Sequence, residues 1–180
     1  MAALDALRDA LPEAARDLRL NLSSILESSS LSEAQRWGVA AASALVSGNA
    51  RLREMLVADA KAAVGADVLD DAVAAAALMG MNNVYYRFRH VVGKASYATK
   101  PARLRMNRLG TPKTNKADLE LFCLAVSAIN DCEMCVRSHE EAVLKAGLNE
   151  EQVHDAVRLA ATVHGVAAAL DAAATPGVMG

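Results

Sequence analysis

Apolar residues recur at the three- and four-residue spacing of helices along most of the chain, and Ser, Gly, Asn and Pro interrupt the runs at intervals. These interruptions predict seven helices. The first runs through Pro12 to about Ser28, where Ser28, Ser29 and Ser30 stop it. Ser32 followed by Gln35 is a capping-box pattern that opens a second, ending near Gly48. Asn49 caps a third, which stops at Gly65, and a fourth runs from about Asp67 through Asn82 and Asn83 to His90. Asn115 caps a fifth that reaches Asn130, and Asp131 caps a sixth that ends at Gly147. Asn149 with Gln152 opens a seventh that runs to about Ala174.

Composition makes these elements an all-α fold. Of 180 residues, 53% are hydrophobic, only 3% are aromatic and 39 are Ala. Gly is 10 and Pro 4, which excludes a collagenous or disordered chain, and three Cys do not make a disulfide framework. An all-β fold would need more β-branched and aromatic residues and more turn signals. The expected architecture is a single-domain helical bundle with a core of small residues that lets helices pack closely.

The bundle is expected to contain an internally duplicated helical unit. At an offset of 84, Ser43-Ala44 aligns with Ser127-Ala128, and Asp71-Ala72-Val73 with Asp155-Ala156-Val157. Gly65 lies two residues from alignment with Gly147, so the helix breaks recur as well. The division is an N-terminal helical extension (1–30), a first repeat (31–92), a basic linker (93–114) and a second repeat (115–176). At the same offset Cys132 and Cys135 align with Gly48 and Arg51, Glu120 with Arg36, and His139 with Met55. Scaffold positions recur while the reactive ones occur once, so the second repeat is the expected catalytic half.

Charge narrows the partners. Nineteen Lys and Arg against 21 Asp and Glu give a formal charge of −2, which argues against nucleic acid as the main ligand. The first 20 residues are too charged for a signal peptide, and the longest apolar run, Ala72 to Met81, is too short to span a bilayer. The expectation is a cytoplasmic protein with no membrane contact. Seven Lys or Arg and no acid fall between Lys94 and Lys116, which is either a solvated linker or a docking surface for an acidic protein.

In a reducing compartment a C-x-x-C pair means redox chemistry or metal. Cys132 and Cys135 are such a pair at the start of the sixth helix, and His139 falls on the same face. One helical turn separates the two thiols, close enough for a disulfide. A thiol reacts as its thiolate, and half ionisation at neutral pH takes about 2 kcal/mol of preferential stabilisation. A helix N-terminus and an imidazolium can supply it, while Asp131 and Glu133 oppose it. Glu120, if its helix folds back antiparallel, reaches the His139 side and can orient the imidazole. The exposed first position of the motif favours Cys132 as the attacking thiol, whereas the four-residue spacing to His139 favours Cys135. A zinc-stabilised interaction module on Cys132, Cys135 and His139 would need a fourth ligand, Cys123 or His164. Cys123, between Phe122 and Leu124, reads as a core residue, His164 as a core histidine and His154 as a surface one. His90 closes the aromatic run Tyr85-Tyr86-Arg87-Phe88, which reads as an anchor or subunit contact or else as a wall of the site.

The pattern Glu120, Ser127-Ala128-Ile129-Asn130, Cys132-x-x-Cys135-x-x-x-His139-Glu140 resembles the alkyl hydroperoxidase D (AhpD) family of the carboxymuconolactone decarboxylase-like superfamily. The runs Asn82–Arg87, Arg105-Met106-Asn107 and Ala161–His164 are similar to that family as well. The resemblance implies an antioxidant, thiol-dependent oxidoreductase that reduces an AhpC-type peroxiredoxin and has weaker activity on alkyl hydroperoxides. It implies electrons from dihydrolipoyl groups on a dehydrogenase-complex subunit, no tightly bound cofactor or metal, and a homotrimer. Cys135 is then the attacking thiolate, passing through a sulfenic acid or an interchain disulfide with the peroxiredoxin. Cys132 is the resolving thiol and proton donor, the Cys132–Cys135 disulfide is the redox-active centre, and Glu120 and His139 form the proton relay. Some members carry His where this chain has Met134, so no third relay group is expected there. A carboxymuconolactone decarboxylase-like activity suits the same fold but has no use for two thiols one turn apart.

Overall fold

The computed structural model describes residues 2–27 and 29–176, with side chains from Leu4 onward. Ser28, the predicted end of the first helix, lies outside the described residues, as does Met1 at the start of the predicted extension. Among the described residues there are eight α-helices and no strand, so the protein is all-α. They are α1 (Ala2–Asp9), α2 (Arg16–Glu27), α3 (Glu33–Val46), α4 (Ala50–Val92), α5 (Ala95–Ala98), α6 (Lys116–Ile129), α7 (Glu133–Lys145) and α8 (Glu150–Ala174).

Most boundaries follow from the caps. Ser32 and Gln35 make the reciprocal capping box on α3, at 3.2 and 3.0 Å, and Asn149 and Gln152 do the same on α8, at 3.0 Å each. Asn49 accepts from Leu52 N at 2.8 Å and Asn115 from Asp118 N at 2.9 Å, opening α4 and α6. The third and fourth predicted helices join as α4 across a kink at Gly65, whose φ of 81° only glycine adopts without strain.

Two boundaries differ from expectation. The first predicted helix is two, α1 and α2, because Pro12 adopts an extended ψ of 158° and has no N–H to continue a helix. A short 3-10 turn, Glu13–Ala15, then leads into α2. Asp131 does not cap α7. It takes a left-handed φ of 53°, and Cys132 becomes the N-cap residue instead.

Helices α3 and α6 form the buried centre, crossing where Gly38 faces the fully buried Phe122. A Cβ at Gly38 would lie 2.0 Å from Phe122 Cζ, so only glycine lets the helices come this close. Helix α4 packs on α3 and α6, α7 on α6 and α4, and α1 on α4. Helix α8 is long and apolar enough to cross a membrane by length and composition, yet it packs on α2, α3 and α6 through Leu159, Val163, Val166 and Leu170.

Two buried carboxylates fasten the segments that lead into α3 and α6. On α4, Asp71 accepts from Lys113 N (2.9 Å), Thr114 N (2.8 Å), Thr114 Oγ1 (2.7 Å) and Arg108 Nη2 (2.6 Å). On α8, Asp155 accepts from Ser30 N (2.7 Å), Ser30 Oγ (2.9 Å) and Arg158 Nη1 (2.8 Å). Burial alone would raise both carboxyls, but these hydrogen bonds outweigh it and hold each below the usual carboxylate value. Asp71 corresponds to Asp155, Thr114 to Ser30 and Phe122 to Gly38 at one common offset of 84.

Candidate functional site

The reactive pair sits on a turn between α6 and α7. The left-handed Asp131 reverses the chain, and Cys132 N returns to Ser127 O at 3.1 Å. Helix α4 supports the turn from below. Asn83 Nδ2 donates to Ser127 Oγ at 3.0 Å, Asn130 Nδ2 donates to Asn83 Oδ1 at 3.0 Å, and Arg87 Nη1 donates to Asn130 O at 2.7 Å. Cys132 and Cys135 then face each other at disulfide distance, their Cα atoms 5.3 Å apart. Cys132 is fully buried, whereas Cys135 is 6% exposed.

Cys135 reaches solvent through a cavity of about 320 Å³ between α4, α7 and the Asn107–Gly110 turn. Asn82 and Tyr86 of α4, Met106 and Leu109 of the basic segment, and Met134, Ser138 and His139 of α7 complete its wall. Cys135 thus opens onto the cavity and Cys132 lies behind it. Asn82 Nδ2 donates to Met106 Sδ at 2.9 Å, tying the basic segment to α4.

His139 is held on both ring nitrogens. Nδ1 lies 2.6 Å from Glu120 Oε2 of α6, and Nε2 lies 3.1 Å from Met79 Sδ of α4. The fold therefore brings Glu120 and His139 together beside Cys135. A carboxylate at this distance is satisfied by an N–H on Nδ1, which leaves proton exchange to Nε2, whose neighbour is only the weakly accepting Met79 sulfur. The thiols stand at the N-terminus of α7, where the helix dipole favours a thiolate. Glu133 opposes it but is paired with His90 of α4 (3.3 Å) and Arg137 (2.6 Å).

The other candidates separate cleanly. Cys123 is buried in α6, and burial, with the Glu120 and Asp71 carboxylates adding to it, pushes its thiol far up, so it stays neutral. His154 is exposed. His164 is exposed too, contrary to the core reading, because a helix turns about 100° per residue and carries it away from buried Val163. The fourth donors of the zinc reading, Cys123 and His164, do not converge on the pair, and no metal-binding cluster occurs among the described residues. Of the aromatic run, Tyr86 lines the cavity while Phe88 stays 46% exposed against Tyr97. Met79 escaped the sequence reading entirely. Met106 and Asn82 were visible only within runs similar to a family, since their partners lie far away in the chain, whereas Tyr86 also lay in the aromatic run read as an anchor or else as a wall of the site.

Residues 96–175, which contain the whole Cys–His–Glu constellation, match the model of the carboxymuconolactone decarboxylase family. Relatives named alkyl hydroperoxide reductase AhpD match nearly end to end. That of Anaeromyxobacter dehalogenans strain 2CP-1 is 62% identical over 173 residues, covering 96% of this chain and 93% of the relative. The chain belongs to the AhpD family. The Gluconacetobacter diazotrophicus AhpD is 52% identical over 174 residues, covering 97% and 96%, and that of Brucella canis 46% over 172 residues, covering 96% and 98%. AhpD membership places the chain among antioxidant oxidoreductases, and a cysteine pair at disulfide distance fits a redox-active centre.

Proposed function

We propose that this chain is a dithiol oxidoreductase that reduces alkyl hydroperoxides weakly and an AhpC-type peroxiredoxin efficiently, with electrons from dihydrolipoyl groups. The observation that carries the reading is that Cys135, and not Cys132, opens onto the cavity beside the His139–Glu120 pair. In the reduced protein the Cys135 thiolate attacks the distal peroxide oxygen. An S–O bond forms, the O–O bond breaks, and the alkoxide leaves as the alcohol after taking a proton from His139 Nε2. Cys132 then attacks the sulfenic sulfur. Water leaves with the proton from the Cys132 thiol, and the Cys132–Cys135 disulfide closes. A peroxiredoxin disulfide reacts in the same order, through a mixed disulfide at Cys135 that Cys132 resolves, releasing two thiols. A dihydrolipoyl thiolate attacks the cavity-facing Cys135 sulfur and expels the Cys132 thiolate, which is reprotonated. The second dihydrolipoyl thiol closes the oxidised lipoyl ring and restores the dithiol. Glu120 keeps the proton on His139 Nδ1 throughout, and Met134 takes no part in proton transfer.

The same reading includes a homotrimer, on the family likeness, and a cytoplasmic setting, where Cys123 stays reduced. It also includes two repeats of one helical unit, supported by the paired Asp71–Thr114 and Asp155–Ser30 fastenings. The deciding experiment is turnover of tert-butyl hydroperoxide with dihydrolipoamide, and of peroxiredoxin disulfide, by C135S and C132S. C135S is expected to be inactive, and C132S to give a trappable sulfenic acid and a stable mixed disulfide through Cys135. Full turnover by both variants would overturn the proposal.

A further inference from the structure

The basic segment contributes Met106 and Leu109 to the cavity wall and is a run of positive charge with no acid in it. It holds seven of the 19 Lys and Arg and none of the 21 Asp and Glu, leaving the rest of the chain with 12 against 21. Its stretch from Arg103 to Asn107 alternates: Leu104 and Met106 are half-buried, while Arg103, Arg105 and Asn107 are exposed. Met106 faces the cavity from this stretch, while Arg105, Arg103 and Lys100, its near neighbours in the chain, are exposed and outside the cavity lining. Of the seven cations only Arg108 is in an ion pair among the described residues, with Asp70 and Asp71. That pair and the bonds from Lys113 and Thr114 to Asp71 fix the segment on α4, so its charges are presented from a fastened backbone.

A neutral alkyl hydroperoxide gains nothing from unpaired cations on the segment that carries Met106 and Leu109. A macromolecule with negative charge does, because complementary charge speeds encounter and sets orientation. The excess of carboxylates elsewhere on the chain repels an extended polyanion such as duplex DNA. An acidic protein patch, at about 800 Å² per side for a typical stable interface, can stay within the basic wall.

We propose that the Lys94–Lys116 segment docks an acidic protein surface that carries the dihydrolipoyl donor, delivering its dithiol to Cys135 past Met106 and Leu109. This deepens the function proposed above and rests on it. The test compares two donors in peroxide turnover: free dihydrolipoamide, and a reduced lipoyl-bearing domain of net negative charge. The proteins are the wild type, the charge reversal K100E/R103E/R105E and its neutral version K100Q/R103Q/R105Q. With the protein-borne donor, the reversal is expected to raise KM by about tenfold or more at low salt, and the neutral version by less. The wild-type kcat/KM should fall steeply with added salt. With free dihydrolipoamide all three should be alike, which also shows that the variants fold. Equal KM values with the protein donor overturn the docking surface, and so does equal loss with both donors. Loss confined to binding of a duplex DNA probe reassigns the surface and also overturns it. A wild type inactive with free dihydrolipoamide overturns the underlying function, and the docking role with it.

Discussion

Asp71→Asn separates the fastening of the cavity wall from the chemistry inside it. The Asp71 carboxylate is fully buried and accepts from two backbone N–H groups, one hydroxyl and one guanidinium. An amide offers one acceptor oxygen: placed at the Oδ2 position it keeps Lys113 N and Thr114, but its NH2 then faces the Arg108 guanidinium, which loses its buried anionic partner. Breaking a buried pair by removing one charge costs about 3–5 kcal/mol. Arg108 keeps 27% of its side chain in water and pairs with Asp70 as well, so the lower end, about 3 kcal/mol, is expected. Asp155→Asn is the control. It loosens Ser30 ahead of α3, and its cation, Arg158, is half exposed and counts for little, so about 2 kcal/mol is expected.

The functional readouts should diverge. Thr114 and Arg108 hold the stretch bearing Met106 and Leu109, so Asp71→Asn should raise the peroxide KM while the alkylation rate of Cys135 stays near wild type. Asp155→Asn should change stability alone. The pH dependence has a definite sign. Both carboxyls titrate lower in the folded protein than in the unfolded chain, so their stabilisation is present above the unfolded value and lost as pH falls through the folded one. The acid limb of the stability curve, below about pH 4, should therefore be shallower in Asp71→Asn. Urea unfolding from pH 2 to 7 at fixed protein concentration, together with peroxide kinetics, measures both effects. A loss under about 1 kcal/mol, the value of an ordinary neutral hydrogen bond, or a KM change in Asp155→Asn, would refute the reasoning.

Three other outcomes follow from single contacts. Gly38→Ala puts a methyl 2.0 Å from Phe122 Cζ and should cost about 2–3 kcal/mol by thermal unfolding, with partial relief in G38A/F122L. Glu120→Gln removes the carboxylate charge that stabilises a protonated His139 and should lower kcat for peroxide about 100-fold with KM little changed; combined with His139→Ala it should add almost nothing, since the two act as one unit. Met134→His puts a titratable ring on the cavity wall and should move the acid limb of the pH–rate profile for peroxide, while Met134→Leu should leave that limb where it is.

The legible parts of the fold were those written locally. Ser32 with Gln35, Asn49, Asn115 and Asn149 cap through bonds spanning three residues, and Gly65 breaks a helix through its own backbone, so a linear reading finds them. The cysteine pair and His139 were legible for the same reason, as positions on one turn. Pro12 was misplaced because proline is tolerated in a first turn, and only α1 starting at Ala2 puts it ten residues in. Asp131 was misread as a cap because the same residue type also tolerates the left-handed turn that it makes here. The contact of Met79 with His139 spans 60 residues, and the Met106–Leu109 wall depends on a fastening to α4 that no spacing rule contains.

If the two repeats are copies, the difference between them lies in what each does with one set of scaffold positions. In the second half, Glu120 of α6 orients His139 beside a cavity walled by Met106 and Leu109. The corresponding residue of α3, Arg36, donates instead to Leu26 O at 2.8 Å, which ties down the end of α2. The positions that correspond to Met106 and Leu109 are Leu22 and Ile25 of α2, both buried against the bundle. A continuous helix with an apolar face therefore covers the place that, in the second half, a short turn leaves open. With Gly48 and Arg51 in place of the cysteines, the first half has nothing for a cavity to expose. The symmetric carboxylates serve both halves as anchors, and the chemistry follows from the one segment that is fastened without being packed shut.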